Sequence, residues 1–235
     1  MPTLTLASIR GIVSGLIQDQ AGVLGVTARN QAIQSAVEMH STYVPFIKSR
    51  SLTGVTGLQV NTPTGWIDDV STIFKIEFPV NEHPPTYLEE EDFFINNSPT
   101  ASTRYQIQFI SSVPSGSERF RVFWTVPHTL GTTAAINTIP DPHQHALSNL
   151  AASIACSKLA AFYAQSSRSL INADSVDSGK NVPNYQMLSR SYRSDYYSFF
   201  KISEKEQTKA GGAYVDIDRT FQWGDQMFYH PRKWR

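Results

Sequence analysis

The stretch ERFRVFWTV, residues 118–126, sets Phe120, Val122, Trp124 and Val126 against Arg119, Arg121 and Thr125. Successive side chains on a strand point to opposite faces, so this alternation buries one face and wets the other. Two earlier stretches repeat it. In STIFKIEFPV, residues 71–80, Phe74, Ile76 and Phe78 alternate with Lys75 and Glu77. In TRYQIQFI, residues 103–110, Tyr105, Ile107 and Phe109 alternate with Arg104, Gln106 and Gln108. The turn signals VNTPTG, NEHPP, NNSPT and VPSGSE punctuate this region. Such connections are too short for helical crossovers. Residues 51–130 therefore read as an antiparallel sheet or small sandwich.

Outward from that region the apolar period lengthens. In TLASIRGIVSGLIQD, residues 5–19, Ile9, Ile12, Val13, Leu16 and Ile17 recur at helical spacing, with Thr5 as N-cap. In residues 27–45, Thr27 caps a second helix, Ile33, Ala36, Val37 and Val44 share a face, and Pro45 ends the run. His40 lies on or beside that face and reads as a packed helix residue. On the other side, residues 139–165 open with Asp141 as N-cap and Pro142 at the first helical position. Leu147, Leu150, Ala151, Ile154, Ala155 and Leu159 form the stripe, and Cys156 sits within it as a structural thiol. A polar span leads to another helix near Pro183, where Tyr185, Leu188, Tyr192, Tyr196 and Phe199 recur at helical intervals. That stripe serves either the core or a neighbouring subunit. Tyr185, Tyr192 and Tyr196 are its candidate interface residues.

The expected plan is α+β. Helices occupy residues 1–50, the β region 51–130, and helices that pack on the first pair 131–206. An extended C-terminal arm occupies 207–235. The arm contains a Gly211-Gly212 hinge and ends in FQWGDQMFYHPRKWR, residues 221–235. Fully extended, residues 211–235 reach on the order of 80 Å.

Composition narrows the function classes. The chain of 235 residues is 40% hydrophobic, enough for a sizeable core, and its net charge is zero. No global field draws it to nucleic acid or anionic lipid. One cysteine excludes an intrachain disulfide framework and fits a reducing compartment. Neither a signal peptide nor a membrane-spanning run is expected. Catalytic signatures are also missing: there is no phosphate-cradling glycine loop, metalloprotease helix or serine elbow. His143 and His145 in DPHQH stand two apart on a helix and point to different faces. Glu89, Glu90, Glu91 and Asp92 lack calcium-loop spacing and read as a solvated sheet edge. Asp68 and Asp69 read as turn residues. No catalytic residue, metal or cofactor is expected.

Three segments together resemble the head-to-tail adaptor or connector proteins of tailed-bacteriophage necks. They are Trp66 to Ile95, Val113 to Leu130, and Asp141 to Tyr197. The last combines an alanine-rich helix, a serine- and aspartate-bearing link and a helix of spaced tyrosines. The resemblance implies a non-enzymatic structural subunit of a ring, commonly twelvefold, beneath the portal protein and above other neck or tail proteins. It places the chain in the virion, assembled in the host cytoplasm, away from membranes, with incidental contact to genomic DNA in the lumen. The central sheet departs from the smallest, nearly all-helical adaptors. A tail-completion or minor capsid protein is the related alternative, and a metal-dependent hydrolase or single-strand nucleic-acid binder the distant ones. On the adaptor reading, Phe221, Trp223, Phe228, Tyr229 and Trp234 dock in portal grooves, while Arg232, Lys233 and Arg235 pair with acidic groups there. The competing expectation is that the arm folds back on its own sheet.

Overall fold

The computed structural model describes residues 4–19, 22–54, 58–97, 104–110, 114, 116–166 and 178–203. The chain divides after Phe200, and every element below belongs to the unit Met1–Phe200. Residues 207–235, with all eight portal-docking candidates, lie outside the described residues. Helices α1 (Leu6–Ile17) and α2 (Val26–Tyr43) come first. Strands β1 (Phe46–Thr53), β2 (Gln59–Asn61), β3 (Ile73–Glu77), β4 (Phe93–Asn97), β5 (Tyr105–Phe109) and β6 (Arg119–Val126) follow. Helices α3 (Gln144–Ser166) and α4 (Ser178–Phe200) close the unit. The fold is α+β, with helices at both ends of the sequence around antiparallel sheets.

The β region is a small sandwich. One sheet has the order β1-β6-β3 and the other β2-β5-β4, with every pairing antiparallel. Phe120, Val122, Trp124 and Val126 from β6 meet Ile76, Val60, Ile107 and Phe109 in one buried cluster. Phe109 and Phe120 join the two sheets edge to face, their ring centroids 5.3 Å apart. The alternation of β6 and of Ile107 and Phe109 thus folds as its period dictates.

Two strands depart from the expected pattern. Strand β1 begins at Phe46, ahead of residue 51, where the change of period was expected. Its Lys48 and Arg50 pair with Trp124 and Val122 but stay exposed, because an edge strand leaves its core-side rim open. In β3, the register against β6 shifts between Ile73 and Lys75. One extra residue inverts the parity that precedes it. Ile73 therefore packs against the core with Ile76, and Phe74, expected inside, is 56% exposed. Glu77, expected outside, is buried under Arg121, which donates to its carboxylate at 3.0 Å.

Helix α3 is the axis of the helical layer, touching α1, α2 and α4. Contact on several sides explains its alanines: Ala151, Ala152, Ala155 and Ala160 are buried beside Leu147, Leu150 and Leu159. Small side chains also let α4 approach, and Ser189 fills the contact by donating to the Ser153 carbonyl at 2.9 Å. Cys156 is fully buried, and burial pushes its thiol up to about 11, as befits a structural residue.

Helix starts follow the sequence only in part. Thr5 caps α1 in a reciprocal box with Ser8. Thr27 does not cap α2, which begins two residues earlier, after Gly25. The buried Asp19 carboxylate ties down the linker instead, accepting from Val23 N–H at 3.1 Å and Leu24 N–H at 2.8 Å. Asp141 is not an N-cap either. It starts a 3-10 turn, Asp141–His143, whose cap is Pro140 and which runs into α3. That extra turn aims His143 back toward α2.

Candidate functional site

The last turn of α2, the segment after β6, the 3-10 turn before α3 and the end of α4 converge on three imidazoles. His40 is fully buried and lies 5.2 Å from His128 and 5.3 Å from His143, centroid to centroid. Phe200 closes the group at 5.1 Å from His40 and 4.9 Å from His143. Tyr196 and Phe46 complete its aromatic wall.

Hydrogen bonds set the protonation of the joint. His40 Nδ1 meets the Tyr196 hydroxyl at 2.9 Å. His128 Nδ1 faces the Thr138 carbonyl at 3.1 Å. A carbonyl only accepts, so neutral His128 carries its proton on Nδ1 and leaves Nε2 a bare lone pair. The backbone N–H of His128 donates to Ser41 Oγ at 2.8 Å, and Ser41 donates on to the Val37 carbonyl at 2.7 Å. His40 Nε2, His128 Nε2 and His143 Nδ1 are buried without a hydrogen-bond partner.

Burial, reinforced by the neighbouring rings, lowers His40 to about 3. Burial also lowers His128 and His143. All three are therefore neutral near pH 7. Neutral imidazoles suit a metal, but the rings of His40 and His128 lie nearly parallel, 24° apart. Among the described residues, no three His, Cys, Asp or Glu side chains are placed to hold a metal ion. The joint is a packed aromatic cluster with spare acceptors.

The three marked tyrosines are engaged within the chain. Tyr196 is fully buried against His40, so this member of the expected interface stripe has no surface to offer. Tyr192 donates to the Leu16 carbonyl at 3.0 Å, linking α4 to α1. Tyr185 stacks on Tyr163 of α3 at 5.7 Å and 2°. The other marked groups are dispersed. Asp69 lies in a turn and binds the Tyr105 hydroxyl and, at 3.7 Å, Arg104. Asp68 and His145 are exposed, whereas His143 packs in the joint. Glu90–Asp92 form the acidic turn that leads into edge strand β4.

No known protein family matches the chain, and no curated protein matches it. Among solved structures, it is similar to a chain of the "Neck of native GTA particle computed with C12 symmetry". The identity is 13%, over 74% of this chain and 87% of that one, with a TM-score of 0.24.

Among the described residues, large apolar side chains remain exposed on both the sheets and the helices. On the outer face of the β1-β6-β3 sheet, Ile47, Phe74 and Tyr87 are exposed. Lys75 lies among them, its Nζ 4.2 Å from the Tyr87 ring centroid and 4.9 Å from that of Phe123. On the helices, Phe162, Met187 and Phe199 are exposed. Of these, Phe199 belongs to the α4 stripe marked in the sequence, whereas Phe74 was expected inside. The bulge turned Phe74 outward, and helical periodicity does not say which large residues a neighbour covers.

Proposed function

We propose that this chain is a structural virion protein of a tailed phage, an adaptor subunit that forms a ring beneath the portal and joins head to tail. The observation that carries this reading is the apolar outer face of the β1-β6-β3 sheet, where Ile47, Phe74 and Tyr87 stand exposed around Lys75, a surface suited to burial against a neighbouring subunit. Closed rings form head to tail, each subunit offering one patch to a different patch of its neighbour. On this reading the sheet face is one half of such a contact and meets a different face of the neighbouring subunit. The resemblance of residues 66–95, 113–130 and 141–197 to neck adaptors supports the same reading. Tyr185 and Tyr192, half-buried on α4, are the tyrosines left to that other face.

On this reading the C-terminal residues Phe221, Trp223, Phe228, Tyr229 and Trp234 dock on the portal, with Arg232, Lys233 and Arg235 on acidic groups there. Many equivalent arms around a ring give avidity without strong individual contacts. The test compares an N-terminally tagged full chain with one ending at Ala210 in infected-cell lysate. The full chain is expected to recover a portal-sized virion protein and the shortened chain to lose it. Recovery by both would move the anchor off the arm; recovery by neither would overturn the neck assignment. Particle symmetry sharpens the assignment: twelve copies place the ring on the portal side, six on the tail-tube side.

A further inference from the structure

The geometry points to a proton-sensitive latch, in which His40, His128 and His143 hold the last turn of α4 on the bundle while neutral and release it on protonation. The site is built for neutral rings. His40 Nε2, His128 Nε2 and His143 Nδ1 are buried and make no hydrogen bond, and only His128 has a further carbonyl, that of Val44, beside it to receive an added proton. The centroid separations of 5.2 and 5.3 Å put any second charge beside the first. Among the described residues, no carboxylate lies within ion-pair distance of these rings.

The surrounding titratable groups do not supply a counter-charge. From α4, Tyr196 offers a hydroxyl whose ionisation burial pushes up, and Tyr197 is pushed up to about 12, also by burial. From α2 the neighbour is Tyr43, whose ring packs on Tyr196 and Tyr197. The segment after β6 brings the neutral Thr138 hydroxyl and carbonyl. Asp141, on the same 3-10 turn as His143, is exposed. β1 contributes only Phe46.

The sign follows from the lowered affinity for protons. An unfolded or locally opened histidine titrates near 6.5, whereas His40 in the closed joint titrates at about 3. The stabilisation is complete above about pH 6.5 and is lost progressively as pH falls toward about 3. Opening is local because Phe200 and Tyr196 cover the rings from the end of α4. Loss of that turn wets the imidazoles without disturbing the buried Leu147, Leu150 and Leu159 of α3.

Hydrogen exchange by mass spectrometry on the full chain tests the latch at pH 7.5 and 5.5, after correction for intrinsic rates. Peptides covering residues 196–203 are expected to lose protection by about tenfold on account of His40 alone, with His128 and His143 adding in the same direction. Peptides from α1 and the middle of α3 should change less. His143→Phe keeps a ring against Phe200 and removes one titrating group, so it should reduce the acid effect. Unchanged protection, uniform loss across all helices, or an unaltered acid response in His143→Phe would each overturn the latch. Should that variant fail to fold, the regional comparison in the unaltered chain decides alone.

Discussion

Glu77 on the sandwich and His40 at the end of α2 are 4% and 0% exposed, yet only Glu77 has a counter-charge. Arg121 donates to the Glu77 carboxylate at 3.0 Å, and Asn81 N–H donates at 3.1 Å to its other oxygen. His40 is ringed by His128, His143, Tyr196 and Phe200. A buried carboxylate remains charged only if partners replace water, whereas a buried imidazole can stay neutral by losing its proton. One region therefore depends on keeping a pair together, the other on keeping protons out. The sandwich should fail when a side chain is removed, and the joint when the solvent is acidified.

The largest expected effect comes from breaking the pair on one side only. Arg121→Ala strips the Glu77 carboxylate of its charged partner and cover, with an expected loss of about 1.5–3 kcal/mol in urea unfolding at pH 7. Replacing both partners, as Glu77→Met with Arg121→Met, should recover most of that loss, since neither charge remains to be desolvated. If the double variant is as unstable as the single one, the pair was holding the turn after β3 by geometry and not by charge.

Acidification should act on the joint with a smaller, graded effect. As pH falls below about 6.5, each proton taken up only on unfolding lowers stability by about 1.4 kcal/mol per pH unit. The unfolding midpoint in urea should fall steadily from pH 6.5 toward 4.5. His40→Gln keeps a partner for the Tyr196 hydroxyl and removes the most strongly shifted group, so its slope should be shallower. An unchanged slope would move the pH sensitivity away from His40.

The legible parts of this molecule are those governed by local period. The β6 alternation placed the sandwich core, and Thr5 marked the start of α1. Phe74 was not legible, because a bulge inverts parity without changing composition. Lys48 and Arg50 hid β1, since charges on an edge strand obscure the apolar face. Asp141 looked like a cap because the 3-10 turn before α3 has no signal separate from the helix itself. The histidine joint was the least legible. His40 was placed on a packed face, but nothing in the spacing of His40, His128 and His143 announces that three elements bring them together. Such a cluster exists only in the tertiary structure.

The smallest expected effect also separates the joint's two functions, packing and proton exclusion. Tyr196→Phe keeps the ring over His40 but removes the hydroxyl bonded to Nδ1 at 2.9 Å. The loss of one buried hydrogen bond should cost about 1 kcal/mol near pH 7. Neutral His40 already has an unpartnered Nε2, so the variant leaves both of its nitrogens unsatisfied. Removing the hydroxyl does not remove any histidine or expose the cluster, so the steepness of the acid response should be retained while the whole curve shifts down. That parallel shift can be read from urea midpoints at pH 7.5, 6.5 and 5.5. A flattened curve would instead mean that the tyrosine hydroxyl, by fixing the orientation of His40, is what keeps its proton off. Proton exclusion would then depend on one hydrogen bond, and the contrast with the Glu77–Arg121 pair would narrow to two sites each governed by a single partner.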